Sequence, residues 1–287
     1  CERMAPPFSD IIRDIRNYDP HVVISSPVNM RFSSADLEYL KAAVKMHILT
    51  ALPIISWDNL TTKGLIHIVP DLLLVWNDAQ YKEACEYHWF PRDRIRVIGA
   101  PVFDTWFSTL TPSVTRELFC AMHGLRAEDI FILYLGSSSH IAKDETWLVE
   151  ELRNALDVSD DEKLRRAQII IRPHPANYRI YQGVKNLRDV AVIPEQGTLP
   201  DSNISLQLFY DTLFYSIAAI DGVNTSAIID SLIAGKPGIV ILTDRYGRTQ
   251  REAKHFNQVM DAQCLYVANG ASEIPFVLKD LIAGNDL

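Results

Sequence analysis

The sequence has few cysteines and no long hydrophobic segment, and both absences narrow the classes of protein that it can encode. The four cysteines, Cys1, Cys85, Cys120 and Cys264, are far apart and form no CxxC pair, so they indicate neither a zinc site nor a disulfide framework. Scattered single thiols are typical of a reducing compartment. No apolar run approaches the roughly 18 residues of a membrane span. We therefore expect a cytoplasmic protein.

An excess of basic residues is also absent. The chain carries 28 Lys and Arg against 36 Asp and Glu, a formal net charge of −8. A general nucleic-acid binder needs a basic surface that displaces counterions, so the charge argues against that class while leaving room for a local phosphate pocket. With 287 residues, 48% of them hydrophobic, the chain is long enough for two domains with cores of their own.

Short apolar runs alternate with amphipathic segments along the whole chain. Runs of this kind predict strands buried in parallel sheets that helices cover on both faces. The predicted strands are residues 21–25, 53–57, 71–76, 95–98, 130–135, 168–171, 190–193, 217–220, 238–242 and 264–267. The alternation loosens between residues 109 and 128. We therefore expect two α/β domains, residues 1–112 and 113–287, each a Rossmann-like doubly wound sheet, facing one cleft.

Helix boundaries follow from capping signals. Ser33 and Asp36 have the spacing of a capping box and predict a helix start. A helix over residues 226–234 is closed by Gly235, with Pro237 as a stop signal. A loop therefore begins at the carboxyl end of each predicted strand. Open parallel sheets bind their ligands at the edge formed by these carboxyl ends.

Two of these loops have the residue types that bind phosphate. Gly136, Ser137 and Ser138 follow a predicted strand, and small residues let backbone amides and hydroxyls approach an anion; a plain turn is the alternative. Arg172 and His174 alternate with two prolines that stiffen the next loop, and a guanidinium beside an imidazole suits a diphosphate. A rigid turn with an exposed Arg is the alternative there.

A third loop leads into the helix over residues 226–234. Asn224, Thr225 and Ser226 could present hydroxyls and helix amides to a phosphate, or could simply cap the helix. In the first half, Asp58 lies in a polar segment over residues 56–64 and is the candidate base for an acceptor hydroxyl. The alternative is a turn closed by Asp58 or Asn59. No His, Cys or carboxylate cluster has metal-ligand spacing, so we expect no metal and no cofactor.

The order of these motifs resembles the GT-B superfamily, and within it the group of CDP-glycerol glycerophosphotransferases and capsule or surface-polysaccharide glycosyltransferases. The most specific parts of the resemblance are the strand followed by His174 and Pro175, and the Asn224, Thr225 and Ser226 helix start followed by Gly235 and Pro237. It extends over nearly the whole chain. Residues 221–226 depart from the Tyr-Ser-Ser type segment of the glycerophosphotransferases, which leaves both a glycerophosphoryl and a glycosyl donor open.

The resemblance implies a metal-independent transferase that moves a glycosyl or glycerophosphoryl group from a nucleotide-activated donor to a hydroxyl. In that group His174, Thr225 and Ser226 would serve the donor phosphates. The acceptor would be a glycan, a lipid-linked molecule or a protein, and the protein would work at the inner face of the membrane in envelope-polymer synthesis. A nucleotide-sugar epimerase and a non-catalytic nucleotide-binding subunit are the alternatives. We also expect the acceptor-side domain to be incomplete before Cys1.

Overall fold

The chain folds into two compact units. The computed structural model describes residues 4–26, 34–108 and 110–284, so Cys1 and the Ser33 of the expected capping pair lie outside the described residues. The units are Cys1–Asp104 and Thr105–Leu287. The sequence had suggested a division between residues 112 and 113. Trp106 packs edge-on against Phe209 with ring centroids 5.5 Å apart, so the segment just after residue 104 packs with the second unit.

The first unit contains a parallel four-stranded sheet in the order β1-β2-β3-β4. Its strands are β1 Val22–Ile24, β2 Leu49–Pro53, β3 Leu72–Val75 and β4 Ile95–Val97. Its helices are α1 Ser9–Tyr18, α2 Ala35–Lys45, α3 Asn59–Thr62 and α4 Asp78–His88, and α5 Asp104–Ser108 connects to the second unit. Helix α2 begins after Ser34, whose side chain accepts a hydrogen bond from the Leu37 amide.

Helices α2 and α4 of this unit pack on one face of its sheet. Leu40 of α2 and Ala84 of α4 join Leu52 and Leu73 in one buried cluster. On the opposite face, the paired residues Val22 and Leu49 are 46% and 65% exposed. Apolar alternation identifies a strand but does not reveal whether its second face has a partner.

The second strand lies earlier in the sequence than predicted. Residues 49–53 form β2 because they pair with both β1 and β3, whereas the prediction placed the strand at residues 53–57. The amides of Ile55 and Ser56 instead donate to the side-chain oxygen of Asn59, which bends the chain out of the sheet. The apolar residues 54 and 55 therefore belong to the exit from the strand.

The second unit contains a parallel six-stranded sheet in the order β10-β9-β8-β5-β6-β7. Its strands are β5 Phe131–Leu135, β6 Gln168–Arg172, β7 Val190–Val192, β8 Ala218–Asp221, β9 Gly238–Ile241 and β10 Leu265–Ala268. Its helices are α6 Arg116–His123, α7 Thr146–Asp157, α8 Glu162–Arg166, α9 Asn203–Tyr215, α10 Ala227–Ile233, α11 Lys254–Asp261 and α12 Ile274–Ile282. Both units are thus parallel α/β sheets, which confirms the predicted fold class.

Helices pack on both faces of this second sheet. One face buries Ile132 and Ile171 against Leu148 of α7 and Leu278 of α12. On the other face, the Arg172 guanidinium of β6 stacks on the Phe209 ring of α9, 4.0 Å from its centroid. The central strands are buried along their full length, as expected for a sheet between two helical layers.

Candidate functional site

Three strands of the second sheet end at the same level. Leu135 of β5 is in register with Arg172 of β6 on one side and with Asp221 of β8 on the other. Neighbouring strands lie about 4.8 Å apart, so the Cα atoms of Arg172 and Asp221 are about 10 Å apart across β5. The loops that follow, residues 136–145, 173–177 and 222–226, therefore begin side by side at the carboxyl edge.

Ser137 connects all three loops. Its hydroxyl oxygen accepts a hydrogen bond from the Asn224 amide at 3.2 Å, and its carbonyl oxygen accepts one from the Asn177 side chain at 3.3 Å. The same Asn177 side chain donates to the Ala142 carbonyl at 2.9 Å. Ser137 is fully buried and links the loops from below, and its predicted direct contact with an anion stays a prediction.

The close packing below this loop requires glycine at position 136. A Cβ atom there would lie 2.5 Å from the hydroxyl oxygen of Tyr181, which is itself fully buried. The Gly136 amide donates to the Arg172 carbonyl at 2.9 Å and so continues the pairing of β5 with β6. Ser138 is half-buried, and its carbonyl accepts from the amides of Ile141 and Ala142. Gly136 thus shapes the loop, while Ser138 remains a candidate donor-binding residue.

A buried carboxyl group holds the loop from inside the protein. Glu145 is completely buried, and its Oε1 accepts from the Ser137 amide at 2.5 Å and from the Tyr181 hydroxyl at 2.7 Å. Its Oε2 accepts from the Tyr134 hydroxyl at 3.4 Å. Burial raises the pKa of Glu145 to about 7, although these hydrogen bonds favour the charged form.

A second buried carboxyl group lies at the end of β8. Burial raises the pKa of Asp221 well above its ordinary value, and the negative charge of Glu145 contributes to this shift. Asp221 Oδ2 accepts from the Thr225 amide at 3.4 Å. Its Oδ1 is buried and has no hydrogen-bond partner among the described residues. Two carboxyl groups therefore lie beneath the loops that were predicted to bind phosphate.

The loop over residues 222–226 is held by its asparagine. Asn224 is buried, and its side-chain nitrogen donates to the Thr249 carbonyl at 2.7 Å and lies 3.1 Å from Nε2 of His255. Ser226 is exposed and occupies the N-cap position of α10, but its side chain makes no hydrogen bond to the amides of that helix. The capping role weighed for these residues thus does not apply to the Ser226 side chain. Asn224 acts as a structural tie, while the half-buried Thr225 and the exposed Ser226 stay candidates for donor binding.

His174 is half-buried and has a defined ring orientation. Its Nδ1 accepts a hydrogen bond from the Ala176 amide at 3.0 Å. An accepting Nδ1 places the proton of the neutral ring on Nε2, the atom that could donate to a phosphate oxygen. Gly197 supports the same loop, since a Cβ atom there would lie 2.7 Å from the Pro173 carbonyl oxygen. The stiffness predicted from the prolines is thus reinforced by a neighbouring segment.

Arg172 is buried, so the alternative of a rigid turn with an exposed Arg does not describe it, and its predicted contact with the donor stays a prediction. It is the last residue of β6, and its guanidinium stacks on Phe209 and donates to the Thr198 carbonyl at 2.9 Å. Burial lowers its pKa to about 10, and Asp230 of α10 opposes that shift. The side chain points into the helical layer because alternation along β6 places it on the α9 face. Its position favours support of the loop over direct contact with a donor.

Asp58 has the contacts of a closed turn. Its Oδ1 accepts from the Ser56 hydroxyl at 2.6 Å, and its Oδ2 accepts from the Thr62 hydroxyl at 3.0 Å. The Lys63 ammonium lies 3.0 Å from the same Oδ2. Both carboxylate oxygens are therefore engaged, and the structure favours the turn, the alternative reading of this segment. Catalysis by Asp58 stays a prediction.

Sequence reasoning missed Glu145, Tyr181 and Asn177 as members of this site. A Glu at a helix start ordinarily lies at the surface, where it offsets the helix dipole, so nothing in the local pattern marks Glu145 as buried. Asn177 carried a weak signal, because it follows the two prolines closely.

Among residues 4–26, 34–108 and 110–284, no three His, Cys, Asp or Glu side chains are grouped as a metal site. In the same part of the chain, no helix is long and apolar enough to cross a membrane.

Comparison with known proteins shows the fold. No protein-family model and no curated protein sequence matches the chain. Among solved structures it resembles Staphylococcus aureus MnaA bound to UDP, with 12% identity, a TM-score of 0.65, and coverage of 96% of this chain and 69% of that one. It also resembles Methanocaldococcus jannaschii UDP-GlcNAc 2-epimerase in complex with UDP-GlcNAc and UDP, with 14% identity, a TM-score of 0.62, and coverage of 97% of this chain and 73% of that one. A glycosyltransferase of Rickettsia africae is similar with 14% identity, a TM-score of 0.54, and coverage of 95% of this chain and 69% of that one. The chain thus has the fold of GT-B enzymes.

Proposed function

We propose that the second unit binds the diphosphate of a nucleotide sugar at the carboxyl edge of β5, β6 and β8. We further propose that the protein transfers the sugar to a hydroxyl acceptor. The observation that carries this proposal is the convergence of three phosphate-type loops on buried Ser137. Loops fixed from below can present their outer backbone amides to an anion without reorganisation. Two similar structures contain UDP, which supports a nucleotide donor.

The chemistry of transfer requires stabilisation of a nucleotide diphosphate leaving group. Negative charge develops on the phosphate as the bond to the sugar breaks, and His174 could donate from Nε2 to that oxygen. Arg172 adds positive charge below the same loop, where its guanidinium donates to the Thr198 carbonyl. The acceptor hydroxyl must lose a proton to a base. Asp58 remains our candidate for that base. Because its carboxylate already accepts from the Ser56 hydroxyl and pairs with Lys63, a test of Asp58 has to separate catalysis from structural support.

The finer parts of the proposal concern the substrates. A nucleotide sugar and a CDP-glycerol-type donor present the same diphosphate, so the loops described here fit either one. We propose a glycan, a lipid-linked molecule or a protein as acceptor, in surface-polymer synthesis at the cytoplasmic face of the membrane. These statements rest on the resemblance of the sequence motifs to surface-polysaccharide transferases.

Epimerisation of a nucleotide sugar is the second candidate function. It is supported by the fold comparison, because the similar solved structures include the M. jannaschii UDP-GlcNAc 2-epimerase as well as the Rickettsia glycosyltransferase. An epimerase would use the same diphosphate loops but would change the sugar without any acceptor. The two functions therefore differ in a product that can be observed directly.

Donor binding is tested first with thermal-shift and calorimetric titration of UDP-, CDP-, GDP- and CMP-linked donors. Ser137→Ala removes the hydroxyl that receives the Asn224 amide, and we expect it to weaken donor binding about tenfold, equivalent to about 1.4 kcal/mol. Ser272→Ala, at an exposed position of the same unit, is the control and should bind as the wild type does. Absence of binding to every donor would contradict the proposal.

The reaction type is tested by nuclear magnetic resonance with the donor that binds. An epimerase converts the sugar in the absence of acceptor, whereas a transferase releases nucleotide slowly until a hydroxyl acceptor is added. Binding without turnover under either condition would indicate a non-catalytic nucleotide-binding subunit. Each outcome thus selects one of the three functions.

A further inference from the structure

Glu145 is not part of the chemistry described above, yet it is the most extensively hydrogen-bonded buried acid near the loops. It precedes α7 but does not cap that helix with its side chain. The side chain turns inward and receives hydrogen bonds from β5, from the loop at Ser137 and from Tyr181 in the 3-10 turn Tyr178–Gln182. One carboxyl group thus ties the loop to two separate parts of the core.

We propose that Glu145 is a positioning residue of the donor site, which acts on the donor through the backbone of Ser137. The proposal rests on the proposed function, since it assumes that the loop over residues 136–139 receives a nucleotide diphosphate. The path is short. Glu145 Oε1 fixes the Ser137 amide, the Ser137 hydroxyl oxygen receives the Asn224 amide, and the Ser137 carbonyl receives the Asn177 side chain. Movement of the Glu145 carboxyl would therefore alter all three loops.

Two loop glycines lie close against the carboxyl group and its tyrosine donors. A Cβ atom at Gly222 would lie 2.9 Å from Glu145 Oε2 and 2.0 Å from the Tyr134 hydroxyl oxygen. A Cβ atom at Gly136 would lie 2.5 Å from the Tyr181 hydroxyl oxygen. Glycines thus occur where the 136–145 and 222–226 loops pass over the carboxyl group and its two tyrosine donors.

The electrostatic surroundings of Glu145 are acidic. The titratable groups that act on Glu145 and its tyrosine partners come from several elements. They are Tyr134 of β5, Tyr181, Asp221 of β8, Tyr246 and Asp144. Arg245 acts on Asp144 and lies 5.7 Å from the Tyr246 ring centroid, and a further negative charge above the loop favours the protonated carboxyl group of Glu145. Protonation would leave Oε1 as the acceptor for Ser137 and Tyr181, and the new hydroxyl on Oε2 could donate to Tyr134.

Donor binding should therefore be accompanied by proton uptake near neutral pH. Burial raises the pKa of Glu145 to about 7 in the donor-free protein, so at pH 7.5 part of the population is ionised. A bound diphosphate raises that pKa further, and the ionised fraction takes up a proton, roughly half a proton per donor. Between the pKa values of Glu145 in the donor-free and the donor-bound protein, the affinity for the donor should fall by up to tenfold per pH unit, and above that range it should level off.

Isothermal titration calorimetry tests this linkage. UDP-linked N-acetylglucosamine is the first probe, because its diphosphate does not titrate between pH 7 and 8, and the tightest-binding donor of the screen replaces it if it does not bind. Titrations at pH 7.5 in buffers with different ionisation enthalpies give the number of protons taken up. Glu145→Gln keeps an acceptor oxygen and should bind the donor without proton uptake. Glu150→Gln, at an exposed position on α7, makes the same charge change and should behave as the wild type does.

The outcomes separate the two proposals. Donor binding with no proton uptake in the wild type, or with equal uptake in Glu145→Gln, would overturn the role of Glu145 while the donor site stands. No binding of any donor would overturn the proposed function and, with it, this inference. If Glu145→Gln does not fold, Tyr181→Phe provides the test, because it removes a hydrogen bond that favours the charged carboxyl group. The pH midpoint of donor affinity should then move upward, and an unchanged midpoint would refute the proposal.

Discussion

Replacing Gly136 by alanine should destabilise the second unit through one identifiable contact. The new Cβ atom would lie 2.5 Å from the hydroxyl oxygen of Tyr181 and 3.0 Å from its Cζ. Tyr181 is fully buried and its hydroxyl donates to Glu145 at 2.7 Å, so the ring cannot move aside without loss of that bond. Overpacking of this kind costs about 1–3 kcal/mol, and the lost hydrogen bond about 1.5–3 kcal/mol.

The measurement is urea unfolding of a double-mutant cycle with Tyr181→Phe. Tyr181→Phe removes the hydroxyl group and so already loses the hydrogen bond to Glu145. The atom nearest to a Cβ at position 136 is then the ring Cζ, at 3.0 Å. Gly136→Ala in the Tyr181→Phe background should therefore cost little more, so the two substitutions should be coupled by roughly 1–3 kcal/mol. For a unit of this size, each kcal/mol corresponds to about 2–4 °C in Tm. Donor affinity should fall in Gly136→Ala, because the adjacent Ser137 amide shifts.

Gly183→Ala is the matched control. Gly183 has φ −68° and ψ −36°, and a Cβ atom there meets nothing within 4 Å, so alanine should be neutral or slightly stabilising. If Gly136→Ala is as stable as Gly183→Ala, or if its cost simply adds to that of Tyr181→Phe, the described packing of Tyr181 below the loop is wrong.

Three further predictions concern the proposed chemistry. His174→Ala should lower turnover by about 30- to 1,000-fold, a transition-state cost of about 2–4 kcal/mol, with little loss of stability. His174→Asn, which can still accept from the Ala176 amide, should be equally slow, and full activity in either variant would remove His174 from the mechanism. Asp58→Asn should lower the free energy of unfolding, because the ion pair with Lys63 and the paired hydroxyls lose their charged partner; a large loss of turnover at unchanged stability would instead establish the base role. Turnover should persist in EDTA, and a loss that a divalent ion reverses would contradict the expected metal independence.

The sequence alone determined the fold class and the edge of the sheet at which to look. Apolar runs bounded by turn residues marked nearly every strand, since a strand buried on both faces needs an uninterrupted apolar run. Parallel connection then places all carboxyl ends at one edge, so the sequence groups the loops after residues 135, 171 and 220. Strand β2 was misplaced because residues 54 and 55 are as apolar as the strand itself, and its pairing with β1 and β3 decides its limits.

Only the tertiary structure decided what each side chain does within those loops. Arg172 faces α9 because of its position in the alternation along β6, and no local pattern reveals that Phe209 is there to receive it. Glu145 is buried because Tyr181, 36 positions along the chain, and Tyr134 bring donors to its oxygens. Ser137 joins partners at positions 177 and 224. Local sequence specifies backbone conformation through propensity and periodicity, whereas the burial and partners of a polar group depend on contacts between segments distant in sequence.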